Sequence, residues 1–234
     1  MRLSRLVWTA TGLLLALGSA AITLSSVIYF GEDLAPFVLE KLPLPLEDLW
    51  MMALRAHVVA AAVCLPGCLL LSSSYVLRRA PRFHRWLGRL TGTLVLLALV
   101  PSGFYLALFA KGGLPSTVGF MLSGAVVAVA MVQGVRAARA RRFLEHRRWV
   151  WHVLAQLSVG VTSRAMLFAF DAAAVDENLA YLVSLWLPVV GSFGLVELRL
   201  RKRRLSLALW RNHEARVPAA RPVDLRPRVV RRAA

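Results

Sequence analysis

His152, Gln156, Gly160 and Arg164 recur every four residues along one apolar stretch, with Ser163 beside them. On an α-helix, residues four apart share a face, so these groups form one polar stripe. Lipid does not tolerate such a stripe, and it must face the interior of a helical bundle. Two kinds of work suit it: hydrogen bonding that glues helices together, or lining a functional cavity. Arg55 and His57, on an earlier apolar stretch, add a cation and an imidazole, and Glu47, Asp48 and Asp171 lie near enough in sequence to join them. Arg55, His57 and Arg164 together could grip a carboxylate, a phosphate or a quinone headgroup. The competing role for the two arginines is snorkelling to lipid headgroups.

Two further histidines suggest iron chemistry. His84 and His146 each open an apolar stretch, each among arginines and followed by tryptophan. Histidines on membrane helices are common axial ligands of b-type haem. A single haem could take His84 with His146 or His152, with Met131 as a further candidate second ligand. His57 lies 19 residues from Val76 at the other end of its stretch, about 28 Å along a helix, and cannot share an iron with these. His84 and His146 read equally as interfacial residues touching lipid phosphate.

Other catalytic patterns are missing. The chain has no Gly-rich phosphate loop, no His-Glu-x-x-His and no Cys-x-x-Cys, so phosphoryl transfer and zinc hydrolysis have no carrier. Cys64 and Cys68 sit four apart among Ala60, Ala61 and Gly67 and read as small packing residues.

These residues need apolar elements to hold them. The chain has 234 residues, 58% of them hydrophobic, with 29 Lys or Arg against 12 Asp or Glu. That apolar content excludes a disordered chain, and two cysteines exclude a disulfide scaffold. A membrane-crossing helix needs about 20 mainly apolar residues. Six stretches qualify: Val7–Phe30, Trp50–Val76, Trp86–Ala110, Pro115–Val135, Trp149–Phe170 and Leu179–Val196. The runs are too long and do not alternate, which excludes strands. The first stretch begins like a signal peptide, but its apolar run continues to Phe30, and we expect it to be kept as a span. Gly88 and Gly92, and Gly191 and Gly194, predict close helix approach on spans three and six; Pro66, Pro101 and Pro188 predict kinks.

Charge orients the spans. With the amino terminus inside, the inner segments collect 25 of the 29 basic residues, and the outer ones hold only Lys41, Arg55, Lys111 and Arg164. The outer segments also hold eight of the twelve acids, among them Glu32, Asp33, Glu40, Asp176 and Glu177. Positive charge stays inside, so both termini are expected in the cytoplasm. The net charge of +17 is thus a topology signal, not a nucleic-acid footprint. The predicted organisation is an all-α bundle over 1–198 and a basic tail over 199–234. The tail reads as an interfacial helix on anionic lipid, then a Pro- and Arg-rich disordered end.

Phe83-His84-Arg85-Trp86-Leu87-Gly88-Arg89 resembles the His-Arg-x-x-Gly-Arg element of a bacterial membrane-protein family catalogued as domain of unknown function 2306. His146-Arg147-Arg148-Trp149 and Arg164, eighteen residues after His146, resemble that family's second element, and His57 and the Ala-Lys-Gly-Gly at 110–113 fit it. The resemblance covers about 50–170. Val150 stands where the family pattern has methionine, and His152 lies outside the pattern. The resemblance implies a multi-span inner-membrane protein in which His57, His84, His146 and Arg164 matter. It implies no particular reaction. The expected function is a polar-pocket protein that binds or moves a small ligand or lipid, or an accessory protein beside a partner subunit. The alternative is a redox component holding one haem or a quinone.

Overall fold

The computed structural model describes residues 2–31 and 36–216, with side chains at all of these except 2–5, 8, 36, 37 and 202–216. Glu32, Asp33 and the Pro- and Arg-rich end at 217–234 lie outside the described residues. Among the described residues there is no strand. Ten α-helices run in order: α1 Arg2–Ser25, α2 Pro36–Leu39, α3 Glu47–Ser72, α4 Ser74–Arg79, α5 Pro81–Leu94, α6 Val100–Ala107, α7 Gly113–Arg139, α8 Phe143–Leu157, α9 Val159–Ala172 and α10 Glu177–Arg216.

Six spans emerge: Thr9–Phe30, Glu47–Ser72, Pro81–Ala107, Gly113–Arg139, Phe143–Ala172 and Glu177–Arg201, each long and apolar enough to cross a bilayer. The third joins α5 to α6 through a π-helical segment, Val95–Leu99, and the fifth joins α8 to α9 across Ser158. The span connections carry the arginines at one end of the bundle and most of the acids at the other. These ends are called the basic face and the acidic face below. The described residues up to Glu197 form one compact unit and those from Leu198 a second. In the second, the helix continues to Arg216.

Lipid tails are as apolar as leucine, so tight packing rather than water exclusion holds these spans together. The principal core joins Ala60, Cys64, Leu65 and Cys68 of α3 to Val95, Leu99 and Val100, to Val127, Ala130 and Met131 of α7, and to Val153 and Leu154 of α8. Cys64 and Cys68 are buried free thiols in that core, as small packing residues should be. The second span ends at Ser72, earlier than expected, because Ser73 turns to extended backbone and α4 starts a new helix. A smaller apolar cluster of Val38, Trp50 and Leu54 closes the acidic face.

The close approaches differ in place from those expected. Nothing lies within 4 Å of a Cβ built on Gly191 or Gly194, and Gly88 and Gly92 meet only ordinary contacts. Those glycines therefore do not bring helices unusually near. The tight sites are those where an added Cβ would collide: with Val161 at Gly18, at 2.8 Å with Thr91 Oγ1 at Gly67, at 2.8 Å with Leu185 at Gly119, and at 2.6 Å with Phe104 at Gly124. Sequence shows where a glycine is; helix rotation decides whether it faces a neighbour. Gly112 and Gly113 serve the backbone instead, with φ of 83° and 67°. That left-handed turn suits glycine and starts α7 at once.

At the acidic face, Lys111 bridges Glu177 and, at 3.9 Å, Glu40. The Glu177 carboxylate holds the Lys111 ammonium above its ordinary value near 10.5. A raised lysine pKa adds stability below its unfolded value that is lost as pH rises through the folded value, so this latch is constant around neutrality. Its side chains are 40% and 78% exposed, so Lys111→Met should cost under about 1 kcal/mol. Thermal unfolding in detergent checks this, and high salt should bring the wild type toward the variant. Lys41, beside it, donates to the Phe109 carbonyl, and partial burial lowers its pKa.

Candidate functional site

The polar stripe of the fifth span splits into two environments. On its α8 half, His152 and Gln156 are buried at 1% and 3% exposure. Gln156 Nε2 donates to the Val189 carbonyl at 2.9 Å and to Ser192 Oγ at 3.1 Å, both on α10. Ser123 Oγ on α7 donates to Gln156 Oε1 at 2.9 Å. One amide thus ties three helices. Its orientation is fixed, because only the amine can donate to a carbonyl.

His152 Nε2 lies 2.9 Å from Glu197 Oε1, and Arg148 Nη2 lies 2.8 Å from the same oxygen. The carboxylate accepts, so Nε2 carries a proton. Nδ1 is buried and has no partner. Trp149 and Phe193 enclose the ring, with centroids at 6.0 and 4.9 Å. Glu197 is the residue that sequence reasoning missed. The available signal was one acid, at the end of an apolar span, among arginines that would otherwise fill that end.

The α9 half opens outward. Ser158 separates the two helices, and its hydroxyl donates to the Leu154 carbonyl at 2.7 Å. Arg164 is exposed, and its Nη1 donates to the Gly160 carbonyl at 3.0 Å on its own helix. It lies near enough to His57 and Tyr181 for their charges to interact. Ser163 Oγ, next to it, is buried without a partner.

His57 is placed by the distortion in the third span. Pro101 has no N–H, and the π segment before it displaces the regular ladder. Side chains take up the carbonyls there. Ser102 Oγ donates to the Ala98 carbonyl at 2.6 Å, and His57 Nδ1 lies 3.1 Å from both the Leu99 carbonyl and Ser102 Oγ. Nδ1 must donate, so in a neutral ring Nε2 keeps the lone pair. Arg55, two residues earlier, points elsewhere: its Nε donates to the Tyr29 carbonyl at 2.9 Å, and its guanidinium lies 6.0 Å from the Phe30 ring centroid. Two residues turn a helix by about 200°, which separates Arg55 from His57. The structure therefore leaves Arg55 at the end of the first span, with Arg164 within electrostatic range of His57.

His84 and His146 interact electrostatically at the basic face. His146 Nδ1 donates to the Gly134 carbonyl at 2.9 Å, while His84 Nδ1 is buried without a partner. Among the described residues, no three His, Cys, Asp or Glu side chains gather as a metal site would require. Met131 packs in the core, toward Gly92.

A family model described as "Predicted membrane protein (DUF2306)" matches residues 54–200, more than half of the chain. The chain belongs to this family. No curated protein and no solved structure matches it. The matched segment spans the second to the sixth membrane helix. It includes His57, His84, His146, His152, Gln156, Arg164 and Glu197, and leaves out the first span and the tail beyond residue 200.

Proposed function

We propose that this DUF2306 protein binds, or moves across the bilayer, a small ligand with an anionic or quinone headgroup. The seat is His57 and Arg164, in a bacterial inner membrane with both termini cytoplasmic. The observation that carries the reading is Arg164 itself, exposed on the polar stripe and within electrostatic range of His57 and Tyr181 on two other spans. The arginine's one hydrogen bond is to its own helix. A guanidinium at membrane depth costs a few kcal/mol on insertion scales of roughly 2.5–3.5. A headgroup anion would offset that cost and accept from the unused donors. His152 and Gln156 then hold the helices behind the site, and Arg55 ties the first span to the second. The strong bias of arginine to one face supports the cytoplasmic assignment, and the basic tail fits anionic lipid.

Arg164→Leu tests the reading. Thermal-shift titration of the purified protein with phosphatidylglycerol, phosphatidic acid and a ubiquinone analogue should show stabilisation by at least one. The variant should lose that response at least tenfold while its own unfolding midpoint changes little. A midpoint that drops, with the ligand response kept, would make Arg164 a structural residue. An active periplasmic reporter fused at Ala234 would overturn the orientation.

The second reading is one b-type haem, or a quinone, at His84 and His146. It is favoured by the Gly134 carbonyl, which leaves His146 Nε2 as the acceptor nitrogen, with His84 within electrostatic range. A ligating histidine commonly donates its other N–H in this way. Dithionite-reduced spectra of protein from haem-replete cells decide the haem case. Soret and α bands that vanish in His146→Ala support it, and a colourless preparation sinks it.

A further inference from the structure

We infer that the interface of α7, α8 and α10 is a proton path across the membrane, which borders the His57–Arg164 site only at Tyr181. Its polar groups are stacked from one face to the other. At the acidic face stand Lys111, Glu177 and Tyr181. A Cβ on Gly112 would lie 3.5 Å from Tyr181 and 2.6 Å from Ser116 Oγ, which puts Ser116 beside that group. Ser184 follows Tyr181 by one turn. Next come Ser123, Gln156 and Ser192, joined through one amide. Last are His152, Glu197 and Arg148, sharing one carboxylate oxygen at the basic face. From Glu177 to Glu197 the helix rises about 30 Å, the thickness of a hydrocarbon core of about 30 Å.

Helix glue does not account for all of these groups. Ser116 and Ser184 are 0% and 1% exposed, yet their hydroxyls have no hydrogen-bond partner, and neither has His152 Nδ1. A serine in a helix ordinarily satisfies itself on a carbonyl one turn back. An unsatisfied buried hydroxyl costs about 1–3 kcal/mol. Groups that could exchange protons with a transient water chain therefore stand open at three levels.

One segment is dry. Between Ser184 and Gln156 the interface holds Val159, Leu185 and Val189, and Leu185 presses on Gly119. Ser184 to Val189, whose carbonyl binds Gln156, is about 7.5 Å of helix, a gap that two or three waters span. Leu185 is the gate, and wetting of this gap opens the path.

At the basic end, His152 relays the proton. A proton arriving on Nδ1 makes the imidazolium, and the Nε2 proton passes to Glu197 Oε1. Glu197 releases it at the basic face, and the ring regains its starting tautomer by flipping. One proton enters and one leaves, driven by the gradient across the membrane. The charged groups facing Glu197 are Arg148 and His152. Arg148 balances the carboxylate, so the trio carries a net positive charge only while the passing proton rests on His152 or Glu197.

The full-length protein in vesicles of phosphatidylethanolamine and phosphatidylglycerol, with a pH dye inside and a valinomycin-set potential, tests this directly. Wild type should acidify the lumen at least tenfold faster than protein-free vesicles. Leu185→Ala should raise the rate severalfold. The double variant Ser116→Ala, Ser184→Ala should lower it at least fivefold without losing thermal stability, since it removes only unpaired hydroxyls. A wild-type rate equal to that of protein-free vesicles, with insertion verified, overturns the proposal. So does a serine variant that folds and conducts like wild type. Neither result bears on ligand binding at Arg164, which stands or falls on its own titration.

Discussion

Glu197→Ala should destabilise the detergent-solubilised protein by about 2–4 kcal/mol, toward the range seen when one partner of a buried ion pair is removed. One carboxylate oxygen serves both Arg148 at 2.8 Å and His152 at 2.9 Å. Removing it strands a guanidinium and an imidazole N–H together. The two partners differ in what they lose. Arg148 is 34% exposed on its side chain and can turn partly to headgroups, so its share falls short of the fully buried value. His152 is 2% exposed on its side chain, sits under Phe193 and has no such recourse. Glu197→Gln keeps an acceptor oxygen for one partner and should lose roughly half as much. Thermal or denaturant unfolding followed by tryptophan fluorescence reads both variants. An unchanged midpoint for Glu197→Ala would mean that the carboxylate does not hold α10 to α8.

Gln156→Leu should cost a similar amount, about 2–4 kcal/mol, for a different reason. Leucine nearly matches glutamine in size, so no large cavity forms and the loss is hydrogen bonding. Interhelical bonds in membranes average about 0.6 kcal/mol each, and Gln156 makes three. The groups left behind add to this, because the Ser123 hydroxyl loses its partner where little water reaches, and Ser192 and the Val189 carbonyl keep only a 3.4 Å bond to each other. Ser123→Ala removes only one of the three and should cost about 0.5–1 kcal/mol. The contrast between the two variants is the test. Equal effects would mean that the amide does not act as a three-helix junction.

The two variants also probe what could be read from one dimension. The four-residue spacing of His152, Gln156, Gly160 and Arg164 dictates a shared face by helix geometry alone, and His152 and Gln156 are indeed buried. The same spacing could not say that the face changes neighbours along its length, with α7 and α10 around Gln156 and the surroundings of His57 at Arg164. Arg55 and His57 look like one cluster in sequence. Their helix turns them apart, and the Tyr29 carbonyl at the end of the first span takes Arg55. The serines were invisible for another reason. Hydroxyls are cheap in membrane helices and occur widely, so Ser116, Ser123, Ser184 and Ser192 carry no signal until their levels are matched across helices.

By itself the sequence determined that this is a helical membrane protein with six spans. Apolar run length is a local property, and bilayer thickness converts it directly into a count of crossings. It also put all but two of the arginines, Arg55 and Arg164, at one end of the bundle, since alternation of the spans sorts the loops. Tertiary structure alone decided which polar groups meet. Glu197 reaches His152 across 45 residues, and Gln156 reaches Ser123 and Ser192 across 33 and 36. Such pairings depend on the rotation and depth of each helix against its neighbours, set by packing at sites such as Gly119 and Gly124. Hydropathy does not encode those angles, because most faces of these spans are nearly as apolar as lipid.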